Sequence, residues 1–461
     1  MLPTLFTFLG FLGVLFLVVA AISLAQYLQY FIRRRWTKQI VLPDPVGFAD
    51  PVSMREDAEI VLKVSSSETC ILTFYRCGAE GFQEVARHEV SPALQSGRMG
   101  RWTGFDWPAA LTLPPHALAP GLYYVEIRGR NASSSFWRTP LIITPADPRA
   151  ILVVSSTNTW NAYNHFGGLS NYRDIGGIPW PLKFFEKIAR LTGFRSRIGD
   201  RHWFPIIPLP EKRPNLAIHD DLAHLDTSEQ PKPFSHLLRG ESHLITLLER
   251  EGLPYSIVSD RDFIQNSSLT GVKLVVFNTH PEYWSEESLG RVLEAVDSGV
   301  NVAIFGGNTS YRQIQFLRNS IAVIAQIADR DSVARVVGLY YDSLGYLSRA
   351  GYRTLMPDHW CFHGLQLKLG EVWGEAVGAS GYETDKICGI SHDVEVLAIG
   401  TNPEGPAYMI CRENPSGSFL FNAGSLAFTD GLLRDDQLAT IVRNVLRQAL
   451  ERPLSRKHLP S

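Results

Sequence analysis

Two short stretches of this chain concentrate side chains that do chemistry. The first is Thr159-Trp160-Asn161-Ala162-Tyr163-Asn164, followed by the glycine pair Gly167-Gly168. The second is Asn278-Thr279-His280-Pro281-Glu282-Tyr283-Trp284-Ser285, which sets an imidazole, a carboxylate and a phenol almost side by side. With a carboxylate, an imidazole and a phenol within four residues, any of these can meet Tyr163, which is the crowding of a site. The competing reading makes Trp160, Tyr163 and Tyr283 packing aromatics with satisfied hydroxyls, and Glu282 the cap of a helix starting near Ser285.

Both clusters leave the end of a continuous apolar run. Such runs at 151–154, 255–258, 274–277 and 302–305 read as buried parallel strands, and the segments 241–251 and 285–298 between them carry apolar residues at helical spacing. Strand, helix, strand units of this kind predict an α/β doubly wound sheet, whose ligands bind beyond the carboxyl ends of the strands. That rule gathers 155–164, 260–262, 278–284 and 306–308, with Trp160, Tyr172, Tyr283, Trp284 and Asn308 expected to line a pocket. The segments 352–378 and 407–426 read as β-rich, and 435–450 as a closing amphipathic helix. Upstream, short β-type runs between 59 and 144 alternate with turn residues and predict a small Ig-like β-sandwich. The expected division is an anchor over 1–38, a linker over 39–53, the sandwich over 54–147, the α/β domain over 148–452 and a polar tail over 453–461.

The length of 461 residues suits two or three domains, and 45% hydrophobic with 20% charged residues are globular values. A formal net charge of -2 gives nucleic acid no electrostatic hold. The five cysteines are scattered and form no CxxC pair, so neither a disulfide framework nor a thiolate zinc site is indicated. No charged residue occurs from Leu5 to Ile32, while Arg33, Arg34, Arg35 and Lys38 follow at once. This pattern predicts a single transmembrane helix, a lipid bilayer as partner and a cytoplasmic body. The alternative is a signal peptide cut near Ser23-Leu24-Ala25, which exports the body and makes the sequons at Asn131, Asn266 and Asn308 relevant in a glycosylating host.

The motif residues also carry a resemblance. The apolar run at 151–154 leading to Thr159-Trp160, Ala162-Tyr163-Asn164, the Gly-Gly pair and Ser170 to Tyr172, then His280-Pro281-Glu282-Tyr283-Trp284-Ser285, resembles the large (beta) subunit of N,N-dimethylformamidase and its relatives. Gly306-Gly307-Asn308, His359-Trp360-Cys361-Phe362 with Gly364-Leu365, Gly381-Tyr382-Glu383-Thr384-Asp385, Asn422-Ala423-Gly424-Ser425 and Arg443-Asn444-Val445-Leu446 are similar to that family's C-terminal domain. The preceding module shares Phe105-Asp106-Trp107-Pro108 and Pro120-Gly121-Leu122-Tyr123. The resemblance implies a glutamine-amidotransferase-like (flavodoxin-like) fold and a mononuclear iron held by two tyrosines and one glutamate, with Tyr163 and Glu282 at two of those positions. It implies hydrolysis of the C–N bond of small amides by a metal-bound hydroxide on a polarised carbonyl, His280 moving protons and Asn164 donating to the oxyanion. The chain departs from the pattern twice. Arg213-Pro214-Asn215 stands where an Arg-Pro-Tyr is expected, leaving His202, Tyr172, His219 or Asp220 as substitutes, and His363 stands in place of a glutamate. The rival reading is a non-catalytic binding or assembly protein that keeps the fold and pocket without a complete metal site, its β-sandwich engaging a partner; on either reading a small-molecule amide, a second copy of the chain or a small subunit is an expected partner. A third, a hydrolase or lyase of larger ligands such as carbohydrate, rests only on Trp160, Trp203 and Trp284.

Weaker signals point elsewhere. His219-Asp220-Asp221 with His224 has metal-like spacing in a loop-type context, and Gly306-Gly307 reads as a tight turn that touches the site. No cysteine follows a core strand, so a thiol nucleophile is not expected, and Ser425 reads as structural.

Overall fold

The computed structural model describes residues 38–100, 102–131, 135–171, 207–218, 235–325, 327–390 and 393–452. Its centre is a nine-stranded sheet. The strands are β1 (Ile151–Ser155), β2 (Tyr255–Ser259), β3 (Leu274–Thr279), β4 (Asn301–Gly306), β5 (Tyr352–Thr354), β6 (Val372–Trp373), β7 (Glu395–Gly400), β8 (Tyr408–Glu413) and β9 (Phe419–Asn422), in the spatial order β2-β1-β3-β4-β9-β8-β7-β5-β6. Neighbours from β2 through β9 pair parallel, and from β9 to β6 antiparallel.

The expectation of a doubly wound α/β fold is therefore corrected. Strand outweighs helix among the described residues, several further sheets surround the central one, and its second half returns on itself antiparallel. The physical cause lies in the connections. Parallel neighbours need a long crossover, whereas antiparallel ones such as β7, β8 and β9 can be joined by short loops, so among the described residues the segment from Tyr340 to Asn422 adds strands with no α-helix between them.

Six helices bear on the site: α1 (Thr157–Tyr163), α2 (Leu238–Arg250), α3 (Asp260–Gln265), α4 (Glu286–Asp297), α5 (Arg330–Val337) and α6 (Asp436–Glu451). Along α6, Leu438, Ile441, Val442, Val445, Leu446 and Ala449 recur at helical spacing and are buried, and Asp435 caps its first turn by accepting from Gln437 N and Leu438 N. Strands β1 to β4 are buried on both faces, one face packing with α2 and α6 and the other with α3, α4 and α5. A second, four-stranded sheet runs Ile207–Pro210, Ser320–Ala325, Arg312–Leu317, Tyr283–Trp284 in spatial order and covers the carboxyl ends.

The N-terminal module is two packed sheets. One is ordered Ser53–Arg55, Phe136–Thr144, Gly121–Gly129, Cys70–Gly78, Gly81–Val90, and the other Val46–Ala49, Ile60–Ser65, Leu111–Leu113. They share a core that includes Phe48, Leu62, Phe74, Trp107 and Val125. Part of the expected linker belongs to it, since Val46–Ala49 is a strand buried throughout. Pro45 and Pro51 flank that strand rather than forming a spacer, and Gly47 lies inside it, where a Cβ would meet Lys63 O at 2.6 Å.

No helix among the described residues is long and apolar enough to cross a membrane, so the expectation of a single-pass membrane protein with a cytoplasmic body is not supported. The apolar run 5–32 on which it rested lies outside the described residues, as does the tail 453–461.

Candidate functional site

The residues that gather at the carboxyl ends of β3 and β4 are held by backbone that sequence alone does not announce. Beyond β3 the chain turns sharply, with Thr279 at φ 59°, His280 N donating to Asn278 O and Glu282 N to His280 O. Beyond β4, Asn308 and Ser310 have φ of 57° and 53°, and Tyr382 opposite them has 66°. Four non-glycine residues in the left-handed region around one spot is the strain expected where side chains are held for function. Gly306 and Gly307 make the approach possible. A Cβ on Gly306 would lie 2.2 Å from Thr279 O, and one on Gly307 2.5 Å from Leu426 N and 2.8 Å from Glu383 O.

These turns build a buried cluster around His280, which is fully buried. Its Nε2 lies 3.3 Å from Glu282 Oε2 and 3.3 Å from Glu383 Oε2, and 3.4 Å from Asn308 Nδ2. Its Nδ1 is 2.7 Å from Nδ1 of His236, so one proton is shared between two ring nitrogens. Burial, reinforced by the charge His280 can carry, holds His236 neutral, with its pKa well below the usual histidine value. His236 is thereby suited to accept from His280 Nδ1–H, which leaves His280 Nε2 as the nitrogen that exchanges protons. Arg312 Nε donates to Glu282 Oε1 at 3.1 Å. The ring of Tyr163 packs against both imidazoles, 4.6 Å from His236 and 5.5 Å from His280 between centroids.

The cluster opens on one side. Glu383 keeps 11% side-chain exposure, and the neighbouring Tyr346 is 52% exposed. Burial and then the carboxylates of Glu383 and Glu282 push the phenol of Tyr341 far up, and Tyr346 up less, so both remain neutral hydroxyls facing the acids.

Helix α1 aims Tyr163, and its sequence is a poor helix former. Tertiary contacts compensate. Two buried carboxylates from other elements meet its first N–H groups: Glu241 Oε1 accepts from Ser156 N at 3.0 Å and Trp160 Nε1 at 2.8 Å, and Asp260 Oδ2 accepts from Asn158 N at 2.8 Å. Thr159 Oγ1 donates to His280 O at 2.7 Å, and Asn158 Nδ2 to Tyr283 O at 3.1 Å, stitching α1 to the His280 turn. Burial raises Glu241 to about 8 and Asp260 to about 7. A carboxyl whose folded pKa exceeds its unfolded 4.5 contributes stability below that value and loses it as the pH climbs through about 8. Wild-type protein is therefore expected to melt progressively lower between those two values, and Glu241→Gln to show a shallower decline; thermal unfolding across pH measures it, and parallel curves would refute it.

Among the residues expected at the site, Tyr163, His280, Glu282 and Asn308 are brought together. Others are not. Asn164 Nδ2 donates to Pro214 O at 2.9 Å and its Oδ1 accepts from Phe166 N at 3.1 Å, so this amide fastens a loop and is not an oxyanion donor. Trp160 is fully buried against Glu241, and Trp284 is buried beside Phe277 with ring centroids 4.6 Å apart. The Tyr283 hydroxyl accepts from Asn171 Nδ2 at 2.8 Å, and its ring belongs to a small core with Ala162, Leu209 and Ile314. These three aromatics are core residues, since strand-end position does not by itself tell an inward ring from a pocket ring. Tyr172, Trp203, His202, His219, Asp220, Asp221 and His224 lie outside the described residues.

His236, Glu383 and Arg312 were missed. Glu383 sits inside a motif that carried the family resemblance, and only the close approach of Gly307 brings it to His280. His236 and Arg312 had no sequence signal, because each reaches the cluster from an element with no strand-end motif.

An iron centre finds an incomplete donor set here. Tyr163 and Glu282 are hard ligands in the same cluster, yet Glu282 is engaged by Arg312 and His280, and no three His, Cys, Asp or Glu among the described residues form a metal cluster. Asn215 does not supply the missing ligand, its Oδ1 being committed to Ala217 N at 2.8 Å. The described residues thus do not fit a complete mononuclear iron site.

A family model described as N,N-dimethylformamidase beta subunit-like, C-terminal, matches residues 73–333 and 325–439. No curated protein matches the chain. Among solved structures, the mmIFT52 N-terminal domain is 13% identical over 45% of this chain and 90% of that one, with a TM-score of 0.32. A Paenibacillus sp. cycloisomaltooligosaccharide glucanotransferase complexed with cycloisomaltoheptaose is 14% identical over 28% of this chain and 18% of that one, with a TM-score of 0.15. Structural likeness at this level supports no inference about fold or activity.

Proposed function

Because this chain belongs to the N,N-dimethylformamidase beta subunit-like, C-terminal, family, we propose that the His280 cluster is a hydrolytic site for the C–N bond of small amides. The observation that carries the reading is the single imidazole nitrogen, His280 Nε2, set 3.3 Å from each of two carboxylates on separate segments. In this reading Nε2 takes a proton from the water that attacks the carbonyl carbon. Glu282 and Glu383 face the imidazolium so formed, and His236 holds its other nitrogen. The same proton then passes to the amide nitrogen as the C–N bond breaks, giving a carboxylic acid and an amine. Tyr341 and Tyr346 are neutral hydroxyls beside the acids and can orient substrate without adding charge.

The test is release of ammonia or amine from formamide, N-methylformamide and acetamide by the full chain. Turnover by the wild-type chain that vanishes in a folded His280→Ala variant supports the site; amide binding with no turnover would leave the binding-protein reading ahead.

Iron is a separate proposal, resting on the family resemblance. Tyr163 and Glu282 are the two positions the resemblance assigns to it, and no step above runs through it. Elemental analysis with a visible spectrum is expected to find about one iron per chain and a phenolate-to-iron band that weakens in Tyr163→Phe. No metal after reconstitution with iron, zinc and manganese would sink it.

A further inference from the structure

Helix α1 is clamped at its two ends by different parts of the chain. A helix of 7 residues is not stable in water by itself, so the place of its last residue, Tyr163, is set by what grips the segments on either side. Its first turn is gripped by the carboxylates of Glu241 and Asp260. Its last turn runs at once into His165-Phe166-Gly167-Gly168-Leu169, and this loop sinks into the N-terminal sandwich. Phe166 and Leu169 are buried members of the core that the two sandwich sheets share. The Phe166 ring meets Trp137 edge-on, with centroids 5.5 Å apart, and Phe105 at 6.3 Å. Gly167, at φ 72°, lies so close that a Cβ would be 2.5 Å from Ile40 Cδ1 and 3.0 Å from Met99 Cε. The loop that follows Ile207–Pro210 docks in the same way: Leu216 belongs to the sandwich core, and Phe105 N donates to Lys212 O at 2.7 Å. Asn164 Nδ2 joins the two loops by donating to Pro214 O at 2.9 Å.

We propose that the N-terminal sandwich is an integral part of the site, and that Phe166 is the positioning residue through which it holds Tyr163 against the imidazoles of His236 and His280. Between Tyr163 and Phe166 the chain has little slack, because Asn164 is tied at both its amide atoms, to Pro214 O and to Phe166 N. A displacement of the Phe166 ring is therefore passed to the phenol rather than absorbed by the loop. Tyr163 in turn packs 4.6 Å and 5.5 Å from the two rings that share a proton, so its place helps to fix the direction of His280 Nε2. The part of the sandwich core next to α1 is thus filled by the chain's own loops, and its packing serves the site. For turnover the inference rests on the hydrolase reading above; for the clamping of α1 it stands on the packing alone.

The experiment compares three full-length variants with wild type. Phe166→Ala opens a gap beneath the loop, Gly167→Ala pushes the loop off Ile40 and Met99, and Phe74→Leu is a control in the same core whose ring packs on His88. Each is read well below its melting temperature by kcat and KM for formamide, N-methylformamide and N,N-dimethylformamide, and by hydrogen exchange of the amides of 157–164. The two loop variants are expected to lose about 10- to 100-fold in kcat with KM changed less than about 3-fold. Their α1 amides are expected to exchange at least about 10-fold faster, while Phe74→Leu stays within about 2-fold of wild type in kcat and exchange. A control that loses as much as the loop variants would mean that the sandwich acts through stability alone, and overturns the proposal. Wild-type kcat and exchange in Gly167→Ala overturn it as well, and that variant decides if Phe166→Ala does not fold. A wild-type chain that cleaves none of the three amides removes the hydrolase reading, and the exchange of α1 then decides the positioning by itself.

Discussion

Replacing His280 by alanine is expected to lower kcat/KM for small amides by about 10³-fold, the middle of the range for a general acid–base group. The size follows from its position. One nitrogen serves both proton transfers, and among the described residues no other imidazole faces Glu282 and Glu383 together. Glu383→Gln is expected to lose about 10²-fold, since it keeps the shape but no longer opposes an imidazolium charge. A merely structural role would lower activity through stability alone. Two readouts separate the cases: unfolding curves of the variants, and kcat at saturating amide well below their melting temperatures, which a merely structural role leaves near wild type. A His280→Ala protein with wild-type kcat/KM would end the proposed function.

Arg213→Met is expected to cost about 3 to 5 kcal/mol of stability, among the largest effects of any single change in this chain. Arg213 is completely buried, and its partners are carbonyl oxygens. Nε donates to Pro210 O at 3.0 Å, Nη1 to Phe166 O at 3.1 Å and to Leu169 O, and Nη2 to Asn161 O at 2.9 Å and Oδ1 at 2.8 Å. Burial alone pulls its pKa down to about 9. Methionine fills the volume and leaves the acceptors of four residues without donors, which is why the cost exceeds that of a surface arginine. Arg213→Lys is expected to recover only part, because an ammonium cannot reproduce the planar fork. Urea unfolding measures both, and a loss under about 1 kcal/mol for the methionine variant would mean that these carbonyls find other donors. Asn161 lies on α1, so the same substitution should also loosen Tyr163 and reduce turnover.

Arg213 shows how a motif can be seen and its meaning missed. In the sequence Arg213-Pro214-Asn215 draws notice as the place where a tyrosine ligand is absent. In the structure the arginine is a buried tie between the loop after α1 and the strand Ile207–Pro210, and Asn215 turns the chain by accepting from Ala217 N. A regular expression cannot distinguish these roles, since both need the same residues at the same spacing.

What the sequence determined by itself is local. The four apolar runs became parallel strands because uninterrupted Val, Ile, Leu and Phe are stable only when buried on both faces. The position of Tyr163, His280, Glu282 and Asn308 just past strand ends followed, as did the family, whose motifs are contiguous. What only the tertiary structure decided is everything that depends on segments far apart in the chain. The β character of 352–378 and 407–426 was readable but their antiparallel pairing was not, because short strands without crossover helices do not announce their partners. Trp160, Tyr283 and Trp284 went to the core and Asn164 to a loop tie, because the direction a side chain takes beyond a strand end depends on what packs over it. Glu383 and His236 joined His280 because Gly307 leaves room for one segment and α2 starts beside the other. Periodicity reports whether a residue is buried, whereas a catalytic contact depends on which distant residue is buried against it, and that is settled only when the whole sheet has closed.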